Sequence, residues 1–247
     1  HSGALAHSLK RTIEQSSRFT VHTSDKSEST HGNHGGEDSS EATTTTTTRE
    51  ATEATLVYDT AMEPALLNIG DYSQMKNVGG TWPVGEVFTE PKDLHAVNGE
   101  CFVFGFPNMD RKIEILDRPF RMRIEHGVVT WVSPDAPDSF IQVLNLIDEG
   151  EGEVVVREFG IGINDGPGKQ RPLNDVTAFE RQTGLHLSLG KKHTVFSKPH
   201  IKKKRTRYHI DVFLDVDRIA MDDRVVFEDG RFHHGLLSSS SEQEQQQ

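Results

Sequence analysis

The chain has little cysteine, no long apolar run and fewer basic than acidic residues, and each shortage excludes a class of protein. The single cysteine, Cys101, cannot form an intramolecular disulfide and is consistent with a reducing compartment, so we expect a cytoplasmic protein. No stretch approaches roughly 18 consecutive apolar residues, which excludes a transmembrane helix and a membrane partner. The 27 Lys and Arg against 38 Asp and Glu give a net charge of −11, which argues against a nucleic-acid partner.

Apolar residues are distributed unevenly and divide the chain into four segments. In residues 1–22, leucines and an isoleucine recur every four residues, which predicts a short amphipathic helix before a strand. We interpret this segment as the remnant of an N-terminal domain. Residues 23–53, rich in Ser, Thr and Gly, are predicted to be a disordered linker, and residues 236–247 a disordered tail. Residues 54–235 are long enough to form one domain with its own core.

Short apolar strands separated by turn signals make up most of residues 54–235. Residues 125–127 (EHG) and 228–230 (EDG) are typical of hairpin turns. Residues 139–148 and 176–183 are the predicted helices. This mixture predicts an α+β fold, with a mainly antiparallel sheet and a few helices.

Four predicted strands each carry, among apolar neighbours, a side chain that can bind metal. Glu86 shares a strand face with apolar residues, and Glu158 ends an apolar run before a glycine. His186 lies on one face of its strand, and the leucines of that strand lie on the other face. His209 and Asp211 are two residues apart and therefore on one face of their strand. A carboxylate or imidazole in an apolar interior must be paired or bind a cation, because its desolvation alone costs several kcal/mol.

Together these five residues form a ligand set of nitrogen and oxygen atoms without a thiolate. Such a set suits Zn, Co, Mn or Fe(II) in a reactive site. Five ligands are more than one catalytic zinc uses, so two metals that share a bridging carboxylate are the natural count. Each residue is also compatible with an ordinary role in a core or at a strand edge, so the spacing alone leaves metal binding open.

Four motifs that contain these residues occur in an order that matches a known family. They resemble the C-terminal, metal-binding half of the aminopeptidase T and aminopeptidase S group of metallopeptidases. The same pattern is shared by 2,5-dihydroxypyridine 5,6-dioxygenase, a mononuclear non-haem iron enzyme. The resemblance covers about residues 65–232, and its motifs are GEVFTEP (85–91), EFGIGIN (158–164), TGLHLSLG (183–190) and YHIDVFLDV (208–216).

The resemblance implies that the five candidate ligands hold two divalent metals, zinc, cobalt or manganese, and that the domain removes N-terminal residues from peptides. The family peptidases carry a tyrosine seven residues after the histidine of the third motif, where it stabilises the tetrahedral intermediate. This chain has His193 there, and histidine can donate a hydrogen bond or bind metal. His193 is therefore our candidate catalytic residue. Family enzymes are dimeric, so we expect a homodimer that acts on a peptide or another small molecule.

The dioxygenase implies a second interpretation with fewer ligands. His186, His209 and Asp211 would form the two-histidine, one-carboxylate set of non-haem Fe(II) oxygenases, and Glu86 would act from outside it or as a base. The presence of Glu158 favours the dinuclear interpretation. A third possibility is an inactive family member that still binds metal.

The basic run at residues 202–207 (KKKRTR) lies between two proposed ligand strands. Such a run is typical of a solvated loop, and it is also compatible with a localisation signal or an anionic partner. Its position raises a further hypothesis, that it brings positive charge near a substrate carboxylate.

Overall fold

The computed structural model describes residues 2–25, 52–71, 73, 82–202, 206–233 and 235–238. The predicted linker and tail lie outside these residues, except for the ends of the linker and the first three residues of the tail. The middle of the basic run, residues 203–205, also lies outside them. None of the helices in the described ranges is both long enough and apolar enough to cross a membrane.

Within the described ranges, thirteen strands join in one sheet, and all of their pairings are antiparallel. The helices are α1 (Ser2–Gln15), α2 (Asp138–Glu151), α3 (Val176–Phe179) and α4 (Gly235–Ser238), and a 3-10 turn covers Leu94–Ala96. The strands are β1 (Phe19–Ser24), β2 (Glu53–Tyr58), β3 (Leu66–Asn68), β4 (Glu86–Thr89), β5 (Val97–Pro107), β6 (Ile113–Glu125), β7 (Val128–Val132), β8 (Val156–Gly162), β9 (Gly184–Leu189), β10 (Ile210–Leu214), β11 (Val216–Met221), β12 (Arg224–Glu228) and β13 (Arg231–Phe232).

The order of strands across the sheet is β13-β12-β11-β1-β2-β5-β10-β9-β8-β4-β3, and the hairpin of β6 and β7 branches from β5. The α+β fold with a mainly antiparallel sheet is therefore confirmed. Strand β1 pairs with β2 on one side and with β11 on the other, so it lies inside the sheet. The division of the chain into four segments stays a prediction.

The sheet curls so that distant strands share one core. Phe159 of β8 packs against Phe19 of β1 and Tyr58 of β2, with ring centroids 5.8 Å and 5.2 Å apart, although three strands separate β8 from β2 in the sheet. Helix α2 covers another part of the curl through Phe140, which meets Phe106 at 4.9 Å.

The first helix is amphipathic, as its four-residue spacing predicts. Leu9 and Ile13 are fully buried, and Leu5 is partly buried against the same core. Ser8 lies on the buried side as well, and its hydroxyl donates a hydrogen bond to the carbonyl of Leu236. Helix α1 therefore packs onto the sheet and reaches the C-terminal end of the described chain.

Both predicted hairpin turns occur where expected. His126 and Gly127, between β6 and β7, have φ of 50° and 75°. Asp229 and Gly230, between β12 and β13, have φ of 50° and 76°. Two consecutive left-handed residues make a two-residue turn that follows the natural twist of paired strands. At Gly127 the turn also passes so close to the carbonyl of Leu94 that a side chain would overlap it.

A buried ion pair joins β8 to the segment after β4. Arg157 is 2% exposed and donates from Nε and Nη2 to the carboxylate of Glu90, which is fully buried, at 2.8 Å and 2.9 Å. The same guanidinium donates from Nη1 to the carbonyl of Lys191 at 2.6 Å and from Nη2 to that of Phe196 at 3.2 Å. Arg157 therefore fixes both ends of the loop that contains His193.

Replacing Glu90 by glutamine should lower the free energy of unfolding by about 3–5 kcal/mol, because it leaves a buried guanidinium without its counter-charge. Urea unfolding measures this loss. The control is Asp59→Asn, which removes an exposed pair with Arg18 at 3.0 Å and should cost less than about 1 kcal/mol. Equal small losses in the two variants would contradict this role of Glu90.

Candidate metal centre

Four adjacent strands, β10, β9, β8 and β4, carry the predicted ligands. Asp211 lies in β10, His186 in β9, Glu158 in β8 and Glu86 at the start of β4, whereas His209 immediately precedes β10. These strands are adjacent in the sheet although they span more than a hundred residues of sequence, so the curl brings all five side chains to one place.

Two local features of β8 make room for the site and direct Glu158 into it. The register between β8 and β9 shifts at residues 156–159, which is a bulge, and bulges re-aim side chains. The Glu158 backbone N–H donates instead to the Ser188 hydroxyl at 2.9 Å. Gly160 lies opposite His186 in the neighbouring strand, and a side chain at Gly160 would overlap the imidazole. This explains the glycine of the EFGIGIN motif.

The five candidate ligands form two groups that share Glu158. His186 Nε2 lies 3.3 Å from Glu86 Oε1 and 3.4 Å from Glu158 Oε1. His209 Nε2 lies 3.2 Å from Asp211 Oδ1 and 3.9 Å from Glu158 Oε2. In each group of three, the donor atoms lie within 4.8 Å of one another. Glu158 thus offers one carboxylate oxygen to each group.

The donor atoms fit a divalent cation. His186 Nε2 and Asp211 Oδ1 are buried and have no hydrogen-bond partner in the described part of the chain. Ligand atoms around one ion, with bonds of about 2.1 Å, lie about 3.0–3.4 Å apart, which is close to the spacing here. His209 Nδ1 lies 3.1 Å from the Lys192 carbonyl and must donate to it, which leaves Nε2 for a metal.

Protonation of the site also indicates surplus negative charge. Burial, followed by the negative charge of Asp211, raises the pKa of Glu180 to about 10. Burial opposes charge on His209 and His186, but nearby carboxylates outweigh it, raising the pKa of His209 to about 9 and that of His186 well above its usual value. Burial likewise opposes charge on Glu158, but the surrounding histidines hold its pKa below its usual range. Protons on the two histidines offset the carboxylate charge, and a divalent cation bound by these histidines would displace them.

Sequence reasoning missed two residues of the site, Glu180 and Arg181. Arg181 Nη1 lies 3.1 Å from Glu86 Oε2 and also contacts the Glu180 carboxylate. Both residues follow α3, which ends at Phe179, so the helix predicted over residues 176–183 is shorter than expected. The sequence feature that could have indicated these two residues is a pair of charged residues between a phenylalanine and the TGLHLSLG motif.

His193 also lies at this site, and its hydrogen bonds define its ring. Nδ1 accepts hydrogen bonds from the backbone N–H groups of Val195 at 3.2 Å and Phe196 at 3.3 Å, so the ring hydrogen is on Nε2. Nε2 lies 2.9 Å from Glu158 Oε2, but it is buried and has no partner of hydrogen-bonding geometry within the described ranges. A nitrogen that carries hydrogen is a donor and not a metal ligand. All six predicted site residues therefore lie together, with His193 as the donor among them.

No protein-family model and no curated protein matches the chain. Among solved structures it is similar to 2,5-dihydroxypyridine dioxygenase from Pseudomonas putida, with a TM-score of 0.62 and 15% identity over 94% of this chain and 59% of that chain. It is also similar to wild-type AmpT from Thermus thermophilus, with a TM-score of 0.49 and 18% identity over 72% of this chain and 47% of that chain. The chain thus spans about three fifths of the length of the dioxygenase and shares its fold.

Proposed function

We propose that this domain is a dinuclear metallohydrolase that removes N-terminal residues from peptides. One observation carries the proposal: two groups of candidate ligands share the carboxylate of Glu158. A carboxylate that offers one oxygen to each of two groups is what a bridged pair of metals requires. Among N/O donor sets, three carboxylates with two histidines suit zinc, cobalt or manganese.

In this proposal, Glu86, Glu158 and His186 hold one ion, and Glu158, His209 and Asp211 hold the other. Such a pair of ions supplies an activated water near neutral pH and polarises a carbonyl group. Arg181 contacts Glu86 and fixes the orientation of its carboxylate. The peptide amine and the scissile carbonyl would approach from the cavity that is lined by four of the five candidate ligands, Glu86, Glu158, His209 and Asp211.

Two residues outside both ligand groups act on the substrate. His193 carries a hydrogen on Nε2, which is buried 2.9 Å from Glu158 Oε2, and we assign it a hydrogen bond to the oxygen that becomes negatively charged during hydrolysis. Glu180 lines the cavity, and in the metal-free protein burial and the charge of Asp211 raise its pKa to about 10. We assign Glu180 the transfer of a proton to the departing amine.

A second candidate is a mononuclear Fe(II) dioxygenase, which the fold shared with 2,5-dihydroxypyridine dioxygenase favours. It would use His186, His209 and Asp211 as its ligand set. Those three residues do not form one of the groups of donor atoms within 4.8 Å of one another that occur in the described ranges. The shared Glu158 therefore supports hydrolysis better.

The two candidates separate in one paired assay. Protein loaded with zinc, cobalt or manganese is tested on a panel of aminoacyl anilides, and iron-loaded protein is tested for oxygen uptake with 2,5-dihydroxypyridine. We expect metal-dependent release of the aniline, lost in Asp211→Asn and retained in the control Asp223→Asn at an exposed carboxylate. Oxygen uptake by the iron form, without anilide hydrolysis by any metal form, would replace the hydrolase with the dioxygenase.

A further inference from the structure

The candidate metal centre opens onto a large cavity with two kinds of wall. The cavity has a volume of about 1170 Å³, and Glu86, Glu158 and Asp211 lie on its metal-binding side. Elsewhere apolar side chains line it, among them Phe88 and Val143. A substrate in this cavity would present a metal-binding group to the carboxylates and an apolar portion to this wall.

Besides Arg181, which pairs with Glu86 and Glu180, three cations line the same cavity: Arg111, Lys192 and Arg207. All three side chains are exposed, and none makes an ion pair with another residue in the described part of the chain. The chain as a whole has a net charge of −11. The charge of these three unpaired cations is therefore opposite in sign to the net charge of the chain and to the charge of the carboxylates on the metal-binding side of the cavity.

Two of these cations are held on a fixed backbone beside the site. The Lys192 N–H donates to the Tyr208 carbonyl at 3.0 Å, which places Lys192 next to Arg207. The buried carboxylate of Glu151 accepts from the backbone N–H groups of Lys191, Arg207 and Tyr208, the last at 2.8 Å. Glu151 thereby joins the segment that carries Lys192 to the segment that carries Arg207.

We infer that the substrate carries a free carboxylate, which Lys192 and Arg207 bind while its opposite end reaches the metals. This inference rests on the proposed function and narrows it: the preferred substrates are short peptides whose C-terminal carboxylate lies within the cavity. An unpaired lysine and arginine can each make a charge-assisted hydrogen bond with a carboxylate, and arginine can make two. Amidated peptides lack this carboxylate, and in long peptides it would lie outside the cavity.

The test uses hydroxamates, which bind divalent metals without being turned over. Zinc-loaded protein is titrated with a series of ω-carboxyalkyl hydroxamates and with alkyl hydroxamates of matched chain length. At the best length, we expect the carboxylate to increase affinity about tenfold, the value of one charge-assisted hydrogen bond. The increase should disappear in the double variant Lys192→Met/Arg207→Met. It should remain in the control Lys202→Met, because Lys202 is exposed and lines a separate cavity.

The outcomes separate this inference from the proposed function. Tight binding of both series with no preference for the carboxylate at any length overturns the inference and leaves the metal centre standing. A preference that survives the double substitution also overturns it, because other groups would then bind the carboxylate. Failure of both series to bind overturns the metal centre, and the inference with it. A preference that weakens as salt rises supports an electrostatic contact at an exposed site.

Discussion

Replacing Glu158 by glutamine is expected to lower the affinity for divalent metal by about 150- to 5000-fold. The substitution preserves shape but removes the charge that both ligand groups share, and a buried charge contact left unmade costs about 3–5 kcal/mol. Titration calorimetry with zinc measures the change. Substitution of any other candidate ligand should weaken the binding of one ion, because the remaining candidate ligands each belong to one group.

The matched control is Glu153→Gln, which removes a carboxylate of the same length that is about half exposed and pairs with Lys191 at 2.9 Å. Its zinc affinity should equal that of the unmodified protein. If Glu158→Gln binds zinc as tightly as Glu153→Gln does, then Glu158 is not a shared ligand and the two-metal arrangement fails.

Replacing His193 by phenylalanine is expected to lower kcat for anilide hydrolysis by about 100- to 1000-fold while metal content stays unchanged. Phenylalanine keeps a ring but removes the Nε2 hydrogen, and loss of one donor to a developing negative charge has this effect in other hydrolases. His193→Gln keeps an N–H donor and should retain more activity. Steady-state kinetics and metal analysis of the two variants measure both effects.

The tautomer of His193 gives an independent readout of the same assignment. Nitrogen-15 NMR should show hydrogen on Nε2 and none on Nδ1, because backbone N–H groups of Val195 and Phe196 occupy Nδ1.

His200→Phe, at an exposed histidine, serves as the control for the kinetics of His193→Phe. A loss of bound metal in His193→Phe would contradict the donor role and make His193 a ligand.

The parts of the fold that could be predicted from sequence depend on local patterns. The buried stripe of α1 follows from Leu9 and Ile13, and the hairpin after β6 follows from the left-handed turn at His126 and Gly127. The pairing of β1 with β11 could not be predicted, because it joins Phe19 to Met221 and depends on how the whole sheet curls. Strand alternation specifies which face a residue occupies, but not which strand lies beside it.

Some residues of the candidate site could likewise be predicted from sequence, and others could not. Carboxylates and histidines among apolar strand residues indicate the candidate ligand positions, because an interior charge needs a partner or a cation. Glu180 and Arg181 were missed because they sit just after a short helix, where charged residues are ordinary. The role of Arg157 could not be predicted either, because it lies next to Glu158 in a bulge that the sequence does not reveal. At this bulge Arg157 contacts Glu90, whereas Glu158 contacts His186.

The number of divalent ions bound per chain after metal-replete purification, measured by mass spectrometry of the metals, tests the dinuclear centre directly. We expect close to two ions of zinc, cobalt or manganese, because two groups of candidate ligands share Glu158. A single bound iron would contradict the dinuclear hydrolase and favour the dioxygenase. No bound ion would contradict the metal centre itself.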